Sequence, residues 1–383
     1  MKKYFLLTLV LFIIPLNVHA ETVDLAPNAT SAIMIEASTG TVIYSKNEHE
    51  KLAPASMTKM MGLLLIMEQI EKGNLKWDEM VTASPNASGM GGSQILLETG
   101  EQMSVEDLVK GIAIASGNDA IVAMAERIAG TEDAFVNLMN KKANELGLKN
   151  TNFKNSTGLD AENHYSTAYD MAMIAKELVK HQKILEFSSI YEDYLREGTD
   201  RRFWLVNTNK LVRFYQGVDG LKTGYTSTAE YCLTATASKD GMRIITVVMK
   251  EPDSTTRNSE TTSMLNYGFS MYGMDGLLTK DTVLTKTKVN LGKEEYVEIV
   301  PTKDVNILNN KNADKREVTY NLELYDIKAP VKKGDVVGKI NVIENNKTIM
   351  EVDATVKKNI EKANVFETFI RNLSDIIAGK ISV

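Results

Sequence analysis

The sequence predicts an α+β fold in three parts: a β core covered by helices, a small all-β domain and a C-terminal amphipathic helix. β-like runs near residue 35 and near residue 240 enclose a long helix-rich region, which is typical of a mixed sheet covered by helices. From residue 285 to about residue 356 the chain consists of short alternating apolar runs. Apolar side chains then recur at helical spacing to the end. We divide the chain into a signal segment 1–20, a core domain 21–284, a β-rich domain 285–356 and a helical tail 357–383.

The first segment has the layout of a secretory signal peptide. Lys2 and Lys3 form a positive start, an apolar run extends from Tyr4 to Leu16, and Ala20 ends a small-residue cleavage motif. The alternative is an uncleaved anchor, but this run is shorter than the roughly 20 apolar residues that a membrane-spanning helix needs. We therefore expect an exported protein that begins after Ala20.

The core domain is predicted to begin and end with hairpins. The runs 32–35 and 41–44 flank a Ser-Thr-Gly turn, and the runs 231–237 and 242–249 flank a Lys-Asp-Gly turn. Helical spacing predicts helices over 56–71, from Ser104 onward with a cap-like Asp107, and over 120–129, 134–146 and 168–180. The helices therefore lie between the hairpins in sequence and are expected to cover the sheet that the hairpins form.

The tail is predicted to hold the protein on the outer face of the cytoplasmic membrane. Its apolar stripe consists of Phe366, Phe369, Ile370, Leu373, Ile376 and Ile377. A helix with one apolar face and one polar face lies flat at a lipid surface. The alternative is that the stripe packs on the protein's own β domain, as most apolar helical faces do. The charged linker before the helix favours the membrane surface.

Composition excludes several classes of function. The net charge of −6 argues against a nucleic-acid partner. Cys232 is the only cysteine, so no intrachain disulfide is possible, and its alternating apolar context indicates a core residue. After residue 20 the histidines are His49, His164 and His181, without metal-ligand spacing, so we predict no metal or cofactor. No G-x-S-x-G motif is present, and we interpret His164 as structural or at a site rim.

The first of three chemical motifs is Ser56-Met57-Thr58-Lys59. Side chains three residues apart on a helix share a face, so the hydroxyl and the amine are expected to meet. A serine hydroxyl needs a base to become nucleophilic, and a lysine amine serves when burial or a nearby cation lowers its pKa. Alone, this spacing is equally typical of a solvated helix face.

The second motif is Ser116-Gly117-Asn118, between an apolar run and a helix. Ser116 is suited to relay a proton, and Asn118 to hold Lys59 and bind a substrate amide. By itself the motif is better explained as a helix N-cap.

The third motif is Lys222-Thr223-Gly224, followed by Tyr225 and Thr226, on a strand-like stretch. A fixed positive charge beside two threonine hydroxyls suits a substrate carboxylate, and Gly224 would allow a substrate backbone to approach closely. By itself this motif is typical of a turn before a strand.

Together and in this order, the motifs form the signature of penicillin-recognising enzymes. The chain resembles the D-alanyl-D-alanine carboxypeptidases, the low-molecular-mass penicillin-binding proteins. Thr157-Gly158-Leu159-Asp160 and the segment from His164 to Asp170 are similar to a further segment of that family. The resemblance covers nearly all of the chain after residue 20. It implies a penicillin-binding/β-lactamase-like core with the site at its edge, followed by a β-rich domain.

The resemblance also implies a reaction: removal of the terminal D-alanine from peptidoglycan stem peptides ending in D-Ala-D-Ala, through an acyl-enzyme on Ser56. The oxyanion would lie between the backbone N–H groups of Ser56 and Tyr225, and β-lactams would acylate the same serine. The residues implied in catalysis are Ser56, Lys59, Ser116 and Asn118. The residues implied in substrate binding are Lys222, Thr223, Gly224, Tyr225 and Thr226.

Three alternatives stand beside this interpretation. A class A β-lactamase needs a deacylating glutamate in E-x-x-L-N, but after Glu145 and Leu148 the asparagine position is occupied by Lys149. A β-lactam-binding sensor or an inactive relative would need no turnover, although all the catalytic residue types are present. A D,D-endopeptidase would use the same residues, and the sequence does not separate it from a carboxypeptidase.

Overall fold

The computed structural model describes residues 23–314 and 316–377, and the predicted signal peptide lies outside the described residues. The strands are β1 (Ser31–Glu36), β2 (Val42–Lys46), β3 (Met80–Thr82), β4 (Gln102–Ser104), β5 (Glu192–Leu195), β6 (Phe203–Val206), β7 (Val218–Thr226), β8 (Glu230–Lys239), β9 (Met242–Glu251), β10 (Tyr272–Leu278), β11 (Thr285–Lys288), β12 (Tyr296–Pro301), β13 (Val305–Asn310), β14 (Val318–Leu324), β15 (Val336–Glu344) and β16 (Lys347–Val356). The helices are α1 (Lys59–Glu71), α2 (Pro85–Ser88), α3 (Val105–Ala115), α4 (Asn118–Ala129), α5 (Glu132–Glu145), α6 (Ala168–Leu178), α7 (Gln182–Ser188), α8 (Leu211–Phe214), α9 (Ser254–Met271) and α10 (Val365–Ile377), with a 3₁₀ turn at Ala55–Thr58 before α1.

An antiparallel sheet of order β2-β1-β9-β8-β7 forms the centre of the first domain. Along β1, Ile33 and Ile35 face one apolar core, while Ala32 and Met34 face a second core on the other side. Successive side chains alternate across a sheet, so a strand buried on both faces reads as a continuous apolar run. Both predicted hairpins, β1–β2 and β8–β9, are confirmed.

Helices cover both faces of this sheet. α1 and α3–α7 supply the larger core, and α9 covers the opposite face through Met264 and Leu265. The predicted helices are confirmed, including the cap of α3, where Ser104 Oγ accepts from Asp107 N at 3.1 Å. The segment predicted as one helix from Ser56 begins instead with the 3₁₀ turn, and α9 was not predicted.

The second domain is all-β, with a sheet of order β11-β12-β16-β15-β14 and a pair β10–β13. Its core includes Val297, Ile299, Ile340 and Val352. β10 lies before residue 285 in the chain and pairs with β13 after it. The boundary drawn at residue 285 stays a prediction.

The tail is tied to the second domain up to Ala363, whose N–H donates to Leu291 O at 2.8 Å. α10 then begins with a reciprocal cap: Asn364 N donates to Glu367 Oε2 and Glu367 N donates to Asn364 Oδ1, both at 2.8 Å. The apolar stripe is exposed, with Phe366 72% and Phe369 60% accessible. Within 23–314 and 316–377, no helix has the length and apolar character needed to cross a bilayer.

Candidate active site

A cleft of about 460 Å³ lies beside β7, the edge strand of the central sheet. The 3₁₀ turn Ala55–Thr58 packs against this strand. Of the residues predicted for the site, those that line the cleft are Ser56, Ser116, Thr223, Gly224 and Tyr225. An edge strand offers unpaired backbone groups, so an extended peptide can lie beside it as an additional strand.

Close backbone packing fixes the position of Ser56. Ala55 has φ +47°, and Gly158, at φ +84°, passes so near that a Cβ there would lie 1.9 Å from the Ala55 carbonyl oxygen. Only glycine allows this approach. The contact brings the Thr157 carbonyl into the site, 3.5 Å from Ser56 Oγ.

Lys59 is the group best placed to act as a base. Its Nζ lies 2.9 Å from Ser56 Oγ and donates to Thr157 O at 2.6 Å. The side chain is fully buried. Burial lowers the pKa of this amine well below its usual value, the charge of Lys222 lowers it further, and Asp119 opposes the shift. The neutral amine can therefore take the proton of the serine hydroxyl.

The second motif lies beside the cleft at the start of α4. Ser116 has φ +64°, and its buried Oγ has no hydrogen-bond partner among the described residues, which leaves it available for proton transfer. Asn118 Nδ2 donates to Gly91 O at 2.6 Å and its N–H donates to Ser93 O at 2.7 Å, so Asn118 fixes the loop around residues 91–97. Its Oδ1 has no partner among the described residues, Lys59 binds the Thr157 carbonyl, and the role of Asn118 toward Lys59 and the substrate stays a prediction.

A buried carboxylate that was not assigned from the sequence supports the same loop. Asp119 accepts from Ile95 N and from Leu97 N, both at 3.0 Å. It follows directly after the second motif, so proximity to that motif was the available signal.

Lys222 is buried beneath the cleft-lining Thr223, to whose carbonyl oxygen its Nζ donates at 3.1 Å. Burial, followed by the charge of Arg257, lowers the pKa of Lys222 to about 7. A carboxylate entering the cleft would favour the charged amine and raise that pKa again. Arg257 itself lines the cleft from α9, and its charge acts on the buried Lys222. Arg257 belongs to no recognisable motif and was missed in the sequence.

The other residues of the third motif are placed by β7. Thr223 Oγ1 donates to Thr208 Oγ1 at 2.7 Å at the cleft wall. Tyr225 is 58% exposed and lies with its ring centroid 4.5 Å from that of Tyr231. The Thr226 hydroxyl donates to Asp160 Oδ1 at 2.8 Å, so binding a carboxylate there would require this bond to break.

Glycine at position 224 is required by a close approach within the protein itself, and the approach of a substrate backbone stays a prediction. A Cβ at Gly224 would lie 2.8 Å from the Pro54 carbonyl oxygen and 3.0 Å from the Ala55 Cβ. The close approach that requires glycine is therefore that of the 3₁₀ turn, which holds Ser56 against β7.

Three other residues of catalytic type, His164, Cys232 and Glu145, are placed where they do not take part in this reaction. His164 is buried, with Nε2 2.9 Å from Thr58 Oγ1 and Nδ1 accepting from Lys154 N, and burial lowers its pKa to about 4. Burial raises the pKa of the Cys232 thiol to about 12. Glu145 ends α5 in ion pairs with lysines, including one of 3.0 Å to Lys142.

Comparison with known proteins decides the family. The D-alanyl-D-alanine carboxypeptidase family matches residues 17–253, and the C-terminal domain of penicillin-binding protein 5 matches residues 272–362. The chain belongs to the D-alanyl-D-alanine carboxypeptidase family. It is a low-molecular-mass penicillin-binding protein and a peptidase.

Individual members are similar over nearly their whole length. The D-alanyl-D-alanine carboxypeptidase DacF of Bacillus subtilis is 50% identical over 351 residues, which cover 91% of this chain and 90% of the relative. DacA of Escherichia coli is 35% identical over 351 residues, covering 90% and 86%. The crystal structure of penicillin binding protein 5 from Haemophilus influenzae matches with a TM-score of 0.70 and 31% identity, covering 88% of this chain and 98% of that one. The predicted family, fold class and carboxypeptidase activity are thereby confirmed.

Proposed function

We propose that the protein is a serine-type D-alanyl-D-alanine carboxypeptidase that forms its acyl-enzyme on Ser56. The observation that carries this proposal is the buried Lys59 Nζ, 2.9 Å from Ser56 Oγ, beside a cleft that Ser56 and Arg257 both line. A nucleophile with its base and a cation in the same cleft fits a peptide that ends in a carboxylate one residue beyond the scissile bond.

The substrate is a stem peptide ending in D-Ala-D-Ala, extended beside β7. Its terminal carboxylate lies toward Lys222, Thr223 and Arg257. The adjacent Thr208 hydroxyl already binds Thr223 and orients it.

In acylation, neutral Lys59 accepts the Ser56 proton while Oγ bonds to the carbonyl carbon of the penultimate D-alanine. The oxyanion is bound by the backbone N–H groups of Ser56 and Tyr225, and one such donor is typically worth about 3–4 kcal/mol. The C–N bond then breaks, and Lys59, through Ser116, returns the proton to the amine of the departing D-alanine. Water hydrolyses the ester. A β-lactam follows the same first step and leaves Ser56 acylated.

We also propose that the protein is exported and held at the outer face of the cytoplasmic membrane. The signal-like segment 1–20 supports export. The exposed apolar face of α10 supports attachment, because none of its stripe is buried against the β domain. This arrangement would keep the cleft close to newly made cell wall.

The test is the release of D-alanine from a diacylated Lys-D-Ala-D-Ala tripeptide. We expect turnover by the wild type, none by Ser56→Ala, and covalent labelling by penicillin in the wild type only. Labelling that persists in Ser56→Ala would reject the assignment of the nucleophile. Labelling without any turnover would favour a sensor, and cleavage of cross-linked dimers in preference to the tripeptide would favour an endopeptidase.

A further inference from the structure

A patch of exposed and half-buried aromatic and cationic side chains lies next to the cleft. We name it the hairpin surface, and its residues are Tyr191, Tyr194, Arg202, Trp204, Arg213 and Phe214. Trp204 is 55% exposed and Phe214 71% exposed. Single exposed apolar residues are common, but a cluster of them indicates a binding surface.

The hairpin surface is continuous with the cleft. Trp204 and Val206 are two residues apart on β6, so they face the same side, about 7 Å apart along the strand. Val206 lines the cleft, and Trp204 pairs across the hairpin with Tyr194. On the other side, Lys210 also lines the cleft, with Nζ 5.2 Å from the Tyr191 ring centroid.

The hairpin β5–β6, which carries Tyr194, Arg202 and Trp204, is held rigidly. Leu195 and Leu205 are buried on its opposite face. Asn207 Nδ2 donates to Ser188 O at 2.9 Å and to Ile190 O at 2.8 Å at its base. Near its tip, Arg201 Nη1 donates to Glu101 Oε2 at 3.0 Å. The Tyr194 and Trp204 rings are therefore held in a fixed arrangement, and Phe214 on α8 lies with its ring centroid 6.4 Å from that of Tyr191.

The chemistry of the hairpin surface fits a sugar chain that carries acidic peptides. Aromatic rings have a negative face, on which the weakly positive C–H face of a pyranose packs. Arg202 and Arg213 stack on Tyr194 and Tyr191, at 3.5 Å and 4.7 Å from the ring centroids, and keep donors for carboxylates. Glu192 pairs with Val206 in the same hairpin, which disfavours a polyanion there.

We propose that the hairpin surface is a binding subsite for the glycan strand of peptidoglycan. The subsite rests on the proposed function, because it binds the sugars to which the stem peptide in the cleft is attached. It makes the enzyme prefer glycan-linked peptides to free ones.

The experiment compares kcat/KM on the diacylated tripeptide with kcat/KM on a disaccharide-linked pentapeptide. Trp204→Ala and Phe214→Ala are the test variants. Tyr296→Ala is the control, because Tyr296 is a 47% exposed aromatic on β12 in the other domain. We expect each test variant to lose about 2- to 12-fold on the glycan-linked substrate, equivalent to about 0.5–1.5 kcal/mol for one aromatic contact. Tripeptide turnover and penicillin acylation should not change.

Co-sedimentation with insoluble glycan stripped of its stem peptides gives a second readout that does not depend on catalysis. The wild type and Tyr296→Ala should sediment, and the double variant Trp204→Ala/Phe214→Ala should not. Equal losses on both substrates, or full glycan binding by the double variant, would overturn the subsite. A loss of vesicle binding or a change of oligomeric state in the double variant would assign the surface to another partner and also overturn it. If the wild type releases D-alanine from neither of the two peptides, the proposed function is contradicted. The sedimentation result would still decide whether the hairpin surface binds glycan.

Discussion

Two buried amines, Lys59 and Lys222, have different roles in the reaction that we propose. Burial lowers the pKa of both, and each positive charge is repelled by another cation of the site. Lys59 touches the nucleophile and Lys222 faces the position of the substrate carboxylate. The same physical effect therefore prepares one amine to accept a proton and leaves the other to regain its charge when the substrate binds.

If Lys59 is the general base, Lys59→Ala should slow penicillin acylation about 10²- to 10⁴-fold. Lys59→Arg is the matched variant, because it keeps the charge but is not deprotonated at working pH, and it should be equally slow. The measurement is the acylation rate, with circular dichroism to verify the fold. Acylation of the arginine variant at the wild-type rate would assign the base elsewhere.

If Lys222 binds the substrate carboxylate, replacing it should abolish the preference for a peptide with a free C-terminal carboxylate over the same peptide with a C-terminal amide. The wild type should hydrolyse a C-terminally amidated peptide far more slowly than the free acid. Lys222→Ala should lose most of its activity on the free acid and little on the amide. Measuring kcat/KM for both peptides in both proteins tests this, and equal turnover of acid and amide by the wild type would contradict carboxylate recognition.

At the scale of elements, a pair of carboxyl groups joins β9 to α9. Glu260 accepts from Asn28 N and Asn28 Nδ2 at 2.9 and 2.6 Å and from Ala29 N at 3.2 Å. Glu251 is fully buried, and neither of its carboxyl oxygens has a hydrogen-bond partner in the described part of the chain. Burial, followed by the nearby Glu260, raises the pKa of Glu251 to about 8.

This pair should make stability depend on pH. The folded state binds the Glu251 proton more tightly than the unfolded chain, whose pKa is near 4.5. The stability that this tighter proton binding gives the folded state is therefore fully present below pH 4.5 and is lost as the pH rises toward 8. Glu251→Gln mimics the protonated acid and should melt above the wild type at pH 9 but not at pH 5.

Thermal unfolding between pH 5 and pH 9 checks the prediction. Each kcal/mol of stability should shift the melting temperature by about 2–4 °C. The exposed Glu50 provides the control Glu50→Gln, which should follow the wild type at every pH. Identical melting of wild type and Glu251→Gln at pH 9 would show that Glu251 is already ionised at lower pH.

α9 also shows where prediction from the sequence stops. The hairpins and the other long core helices of the first domain follow from periodicity, but the buried face of α9 contains Arg257, Glu260 and Thr261 beside Met264 and Leu265. Polar residues on a buried face hide the apolar period, so the helix and its Arg257 were both missed. The motif residues were found because their spacing is local. The segment that begins at Thr157 was found by resemblance, but the contact of its backbone carbonyl with Lys59, about 100 residues away, leaves no side-chain pattern in the sequence.

At the scale of the whole molecule, the tail should decide where the enzyme resides. Deleting the chain after Asn364 removes α10 but keeps Ile360, which is buried in the β domain, and the Ala363–Leu291 bond. The truncated protein should no longer bind lipid vesicles and should still release D-alanine from the diacylated tripeptide. Each apolar residue of the stripe contributes about 1.5–3 kcal/mol of transfer free energy when it is fully buried. Even shallow insertion of the six residues should therefore hold the helix on the bilayer.

Vesicle co-sedimentation is the measurement, and Phe366→Ser/Phe369→Ser in the full chain is the matched variant. It should release the protein as truncation does. Continued binding of the truncated protein to vesicles would reject the anchor. A lower melting temperature after truncation would instead indicate that α10 packs on the β domain.

The two buried lysines also set a limit on how stable this protein can be. Folding must strip water from both amines in one small volume, and this opposes folding. A methionine of similar length at position 59 or 222 would remove that opposition together with the chemistry. Selection for activity thus keeps the protein less thermostable than an inactive variant without these amines. The most thermostable variants recovered from a random library should therefore be enriched in substitutions at positions 59 and 222.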